Sequence, residues 1–261
     1  MSYTDSHAHL DDPRFDSDRA EALERARAAD VGCILTIAEA TQPVAVEKTM
    51  LLMVEHNFLW MALGVHPHEA RHATGALLDE VENLMKQPRI LAWGEIGLDY
   101  HYEFSPRDAQ QSVFRDQLQR ARAIGLPVII HCREAWDDCL RLLEEEWASS
   151  GLAGILHCFS GTAEHARRAL DWGFMISFAG NLTFPRAEVL RAVAAAIPVE
   201  QLLTETDCPY LAPQAFRGQR NEPAFVVETA AELGRLHNLS REEMGARTTE
   251  NFLRLFPRAK A

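Results

Sequence analysis

Short apolar runs alternate with longer stretches of helical period along the whole chain. Strands are predicted near Tyr3–His9, Gly32–Ile37, Leu59–Val65, Ile90–Ile96, Val128–His131, Gly154–Cys158, Met175–Ser177 and Gln201–Thr206. Between them the pattern predicts helices such as Asp18–Ala29, Val44–His56, Gly75–Lys86, Pro106–Ile124, Ala135–Ala148, Ala163–Trp172 and Arg186–Ala196. Interior runs such as Leu126–Ile130 are apolar without alternation, the mark of parallel strands covered on both faces. Eight strands alternating with helices favour a closed α/β barrel, the (β/α)8 TIM barrel, over an open doubly wound sheet. Two further helical patterns, Ala224–His237 and Arg241–Phe256, follow the last strand. The first fits an eighth barrel helix and the second a C-terminal covering helix. No repeat, low-complexity tract or Pro/Ser linker interrupts the pattern, so residues 1–261 are expected to form a single domain. The length suits one barrel, which commonly needs ~250 residues.

Composition narrows the function classes. A formal net charge of -12 argues against nucleic-acid binding through a broadly basic surface. Any phosphate must instead meet local positive charge from bound metal or a few arginines. The five cysteines show no CxxC spacing, so a reducing cytoplasm is expected rather than a disulfide framework. No run of 18 apolar residues suits a membrane crossing, and the amino terminus lacks a basic-then-apolar signal segment.

The chemistry lies where the strands end. In Asp5-Ser6-His7-Ala8-His9, side chains two apart on a strand share a face, so His7 and His9 can grip one ion. A lone HxH is a weak signal; repetition strengthens it. The fourth strand is expected to end in Glu95, the fifth in His131, the sixth in His157 and the eighth in Asp207. In a barrel those ends converge on the face where barrel enzymes carry their active sites. Six such side chains are costly to bury unless paired or bound to an ion. Nitrogen and oxygen donors without thiolate point to Zn, Mg or Mn. Six donors exceed the need of one tetrahedral ion and leave room for two bridged by Glu95. Such ions act as Lewis acids and lower the pKa of the water they hold from ~15.7 to about 7. Asp207 is placed to orient or deprotonate that water.

These residues lie in motifs that resemble one known family. Asp-Ser-His-Ala-His-Leu at 5–10, Gly-Val-His-Pro-His at 64–68 and Gly-Glu-Ile-Gly-Leu-Asp-Tyr at 94–100 are similar to segments of the TatD family of metal-dependent deoxyribonucleases. So are His-Cys-Arg-Glu at 131–134, His-Cys-Phe-Ser-Gly at 157–161 and Glu-Thr-Asp-Cys-Pro-Tyr-Leu at 205–211. The motifs follow family order over almost the whole chain. The resemblance implies a TIM barrel of the amidohydrolase superfamily with a divalent-metal centre. It implies that His7, His9, Glu95 and Asp207 hold one ion, and Glu95, His131 and His157 the other. It also implies hydrolysis of DNA phosphodiester bonds, from a 3′ end or in single strands. No lysine stands at a strand end of the site, so Glu95 takes the bridging role that a carboxylated lysine has elsewhere in the superfamily. Cys208 departs from the small residue expected there. Asn221-Glu222-Pro223 also resembles a family segment, but chemistry alone assigns it no role.

Other candidates divide between function and packing. His66 and His68 flank Pro67 near the predicted mouth, as substrate contacts or loop packing. Arg133 suits a phosphate clamp or a pairing with Glu134. Tyr100 and His101 suit contact with a base or sugar, or packing at the rim. Glu205 is read as a supporting group rather than a direct ligand. His56, His72, His165 and His237 fall on helical patterns and are read as surface or packing residues. Two alternatives stand beside the nuclease: a metal-dependent hydrolase of a small amide, lactone or aminoacyl ester, and a metal-bearing scaffold without turnover. An open groove would favour a nucleic-acid strand and a narrow closed pocket a small substrate.

Overall fold

The computed structural model describes residues 3–260; Met1, Ser2 and Ala261 lie outside it. Eight strands run in chain order around one parallel sheet. They are β1 Tyr3–Ala8, β2 Val31–Glu39, β3 Leu59–Gly64, β4 Ile90–Asp99, β5 Val128–Arg133, β6 Gly154–Leu156, β7 Phe174–Phe178 and β8 Leu202–Thr204. The sheet closes at its carboxyl end through a parallel bridge between Ala8 and Cys208. That closure, with helices between the strands, makes the fold a TIM barrel and removes the open-sheet alternative. The helices are α1 Arg19–Ala28, α2 Pro43–Glu55, α3 Gly75–Leu84, α4 Arg107–Ile124, α5 Trp136–Glu146, α6 Ala163–Asp171, α7 Glu188–Ala196, α8 Val226–His237 and α9 Arg241–Leu255.

Local chemistry sets several helix ends. The Thr74 hydroxyl accepts the Leu77 N–H to start α3, and a capping box of Ser240 and Glu243 starts α9. Gly125, at φ 71°, ends α4 in the left-handed conformation that glycine adopts without steric cost.

Alternation along the strands separates two apolar layers. Cys33, Leu35 and Ile37 of β2 meet Ile129, Ile155 and Leu203 inside the barrel. Phe252 and Phe256, from α9 and its end, join that cluster, and α9 packs on β1 and β8. The intervening residues, such as Ile34, Ile130, Leu156 and Leu202, pack outward on the helices. Continuing the inward rows by two residues leads to Glu39, His131, His157 and Glu205. The barrel interior is therefore apolar below and polar at its carboxyl rim.

Several strand ends differ from expectation, and those of β4 and β8 bear on the site. Glu95 does not end the fourth strand: β4 runs on to Asp99, pairing Gly97 with His131 and Asp99 with Arg133 of β5. Gly97 makes this close pairing possible, because a Cβ there would overlap the His131 carbonyl oxygen. Conversely, β8 stops at Thr204, and Asp207 lies beyond the ladder at φ 56°. The Asp207 N–H donates to the His7 carbonyl at 2.9 Å, and the His9 N–H to the Cys208 carbonyl at 2.8 Å, so the closing seam continues without regular strand.

Candidate metal centre

The seam between β1 and β8 is pinned by buried Asp5. Its carboxylate accepts the Thr206 hydroxyl at 2.6 Å, the Thr206 N–H at 2.9 Å and the His7 N–H at 3.3 Å. Burial pushes this carboxyl up to about 8. The segments that carry His7, His9 and Asp207 are thus fixed to one another before any ligand arrives.

Two donor sets meet at Glu95, one on each of its oxygens. On the first side, His7 Nε2 lies 3.3 Å from His9 Nε2, 3.3 Å from Glu95 Oε2 and 3.7 Å from Asp207 Oδ1. His9 Nε2 lies 3.4 Å from Asp207 Oδ1 and 4.0 Å from Glu95 Oε2. Four donors about 2.0–2.1 Å from a tetrahedral ion stand ~3.3–3.4 Å apart, so these separations match the edges of a coordination shell. On the second side, Glu95 Oε1 lies 2.8 Å from His131 Nδ1 and 2.7 Å from His157 Nε2, and those nitrogens are 3.3 Å apart. His66 Nε2 approaches the same oxygen at 3.6 Å. The donor chemistry and spacing fit a divalent cation.

Carboxylates orient the imidazoles from behind. Asp99 Oδ2 bonds His131 Nε2 at 3.1 Å and His68 Nε2 at 2.9 Å, while Asp99 Oδ1 accepts the N–H groups of His101 and Tyr102. Glu205 Oε1 lies 3.3 Å from His157 Nδ1 and accepts the Cys158 N–H at 2.6 Å. Such partners fix which ring nitrogen faces an ion. Burial opposes charge on Asp99, yet hydrogen bonds from His131 and His68 hold its pKa well below the usual carboxylate range. Glu95 is likewise held low, against its burial, by His157, His7 and His66. Burial drives His66 down to about 4 and also lowers His7. The Cys158 and Cys208 thiols are pushed up by burial.

The six metal-donor candidates named from sequence, His7, His9, Glu95, His131, His157 and Asp207, meet in this cluster. His66 and His68 stand beside it, the first near Glu95 and the second on Asp99. Arg133 does not pair with Glu134, which bonds His101 Nδ1 at 2.8 Å instead. Tyr100 turns away: its hydroxyl donates to Asp138 at 2.8 Å, and Arg107 covers its ring at 4.3 Å. Sequence reasoning missed Asp99, Asp5 and Glu39. Asp99 and Glu95 are four apart on one strand and so share a face, a signal present in the sequence. Glu39 continues the inward row of β2, and its carboxylate accepts the His66 N–H at 2.9 Å and the Thr41 N–H at 2.9 Å.

Between these residues opens a cavity of about 360 Å³, lined among others by His9, Asp11, Glu39, His68, Asp207 and Tyr210. Among the described residues no helix is long and apolar enough to cross a membrane.

Comparison with known proteins agrees with this geometry. The family model for TatD related DNase matches residues 4–257. The uncharacterized metal-dependent hydrolase YabD of Bacillus subtilis (strain 168) is 41% identical over 252 residues, covering 97% of this chain and 98% of YabD. The 3'-5' ssDNA/RNA exonuclease TatD of Rahnella sp. (strain Y9602) is 34% identical over 255 residues, covering 95% of each chain. The crystal structure of YJJV, a TatD homolog from Escherichia coli K12, superposes with a TM-score of 0.90 at 30% identity and covers 98% of each chain. Organophosphorus hydrolase variants share the fold, with a TM-score of 0.66 at 16% identity. The chain belongs to the TatD related DNase family and is a metal-dependent hydrolase of ester bonds.

Proposed function

We propose that this protein is a divalent-metal-dependent deoxyribonuclease that removes nucleotides from the 3′ end of single-stranded DNA. His7, His9, Glu95 and Asp207 would hold one ion, and Glu95, His131 and His157 a second, each Zn, Mn or Mg. The observation that carries this reading is the division of Glu95, with Oε2 toward His7 and Oε1 toward His131 and His157. Ions so held would supply Lewis-acid activation of the phosphoryl group and of water.

The remaining tasks fall to side chains of this chain. Asp207 keeps its carboxylate charged: burial opposes this, but the bond from His9 and the charges of His157 and His7 hold its pKa down. Its Oδ1 faces His9, and we assign Oδ2 to take the proton from the attacking water. His66 and His68 line the cavity and are assigned to orient the phosphate that enters, with Arg133, over the ring of Tyr102, assigned to the phosphate next along the strand. A cavity of about 360 Å³ is of small-ligand size. It suits the terminal nucleotide of a strand better than a duplex, which favours cleavage from an end.

The test is degradation of a 5′-labelled single strand by metal-depleted protein with Zn, Mn or Mg restored. A ladder shortening from the 3′ end supports the proposal. An intact strand, beside metal-dependent hydrolysis of a small lactone or amide, would transfer the activity to the small-substrate alternative.

A further inference from the structure

The loop between β4 and α4 carries an aromatic pair that the catalytic reading leaves unused. Tyr102 and Phe104 remain 49% and 51% exposed, although large apolar rings ordinarily seek burial. Their rings stack on each other with centroids 5.3 Å apart and planes 4° from parallel. The Arg133 guanidinium lies over Tyr102 at 4.8 Å. Arg133 makes no ion pair among the described residues, in contrast to Arg107, paired with Glu103, and Arg141, paired with Asp138.

This loop is fixed in place and reaches the centre through one side chain. Asp99 holds the His101 and Tyr102 N–H groups at 2.9 and 3.0 Å, and the Gln110 amide binds the Ser105 carbonyl at 2.9 Å. The His68 ring stands edge-on to Phe104 at 4.9 Å and to Tyr102 at 5.6 Å, while its Nε2 meets the Asp99 carboxylate that also holds His131. A half-exposed, pre-ordered aromatic surface therefore begins one residue away from the donor cluster.

We propose that Tyr102 and Phe104, with Arg133 beside them, form a base-stacking subsite for a nucleotide of the strand outside the metal cluster; this rests on the nuclease reading. Every base has a π-face, so such a ledge accepts any sequence, and the free guanidinium takes the adjoining phosphate. A base in a duplex is already stacked on its neighbours, so the ledge also selects single strands.

The test is equilibrium binding by fluorescence anisotropy. The probes are a labelled, phosphorothioate-protected oligothymidylate and the same strand with abasic sites. Wild-type protein is expected to hold the base-bearing strand about tenfold more tightly, the size of one stacked base. The Tyr102→Ser/Phe104→Ser variant is expected to lose that preference, and Tyr102→Phe to retain it. A double variant that still prefers the base-bearing strand, with an unchanged affinity, would overturn the subsite. If the wild-type protein neither binds nor degrades any single strand, the nuclease reading itself falls, and the subsite with it.

Discussion

Asp99 shows how much of the centre is arranged by a residue that faces no ion. Its two oxygens hold His131, His68 and two loop N–H groups, so it sets both a donor ring and the loop bearing Tyr102. Asp99→Asn is expected to weaken metal binding about 10–100-fold, as changes behind a ligating histidine do; competition with a chromophoric chelator measures it. An unchanged affinity would mean that His131 needs no orientation. The donors themselves were legible because strand ends in a barrel converge and histidine or carboxylate is costly there without a partner. The apolar run that predicts the fourth strand stops at Ile96, three residues short of Asp99, so the pattern does not bring Asp99 into the site. Tyr102 and Phe104 could not be placed, since a loop has no period from which to read direction. Tyr100, for which the sequence leaves base contact and rim packing open, bonds Asp138 and Gln111 on neighbouring helices.

At the scale of elements, the segment after β8 explains a motif that chemistry alone left without a role. The Asn221 amide donates to the Thr206 carbonyl at 2.8 Å and the Tyr210 carbonyl at 2.6 Å, bracketing Asp207. Asn221→Ala leaves those carbonyls without this partner and is expected to cost about 1–3 kcal/mol by denaturant unfolding. It should also lower nucleotide release, because Asp207 loses its frame. Next to it, Arg25 binds Glu222 and Asp18, and Arg220 bonds Asp18 at 2.5 and 2.8 Å, tying this segment to α1. The Arg220 hydrogen bond holds the Asp18 pKa well below its ordinary value. As pH falls, the unfolded chain therefore binds a proton at Asp18 before the folded chain does. The stabilisation is complete above the ordinary value near 4 and is lost progressively below it. Asp18→Asn is expected to lower Tm by about 2–4 °C at pH 7, with the gap to wild type closing below pH ~4. A gap that does not narrow at all between pH 4 and pH ~2 would assign the loss to packing. Nothing in the spacing of Asp18, Arg25 and Arg220 announces this network, because only the closed barrel brings the loops after β1 and β8 together.

Across the whole molecule, structure and chemistry occupy opposite ends of the barrel. Leu203, Ile155 and Ile129 with Phe252 and Phe256 fill one end, and the donor cluster fills the other. This division is readable in strands such as β5 and β6, which run apolar up to His131 and His157. What the pattern could not give was the closure at Ala8 and Cys208 or the two-sided use of Glu95, both of which depend on register. The acidic chain, at a net charge of -12, leaves Arg133, Arg186 and Arg217 without ion pairs among the described residues, all at or beyond strand ends on the catalytic face. Nucleotide release from single-stranded DNA is the measurement for hydrolysis of a strand at this centre. Wild-type protein and Asp207→Ala are to be compared at matched metal content, with and without chelator. Metal-dependent release is expected to fall on the order of 10²–10⁴-fold in the variant, the loss of a general base. Release by Asp207→Ala at the wild-type rate would contradict it and place the activity elsewhere.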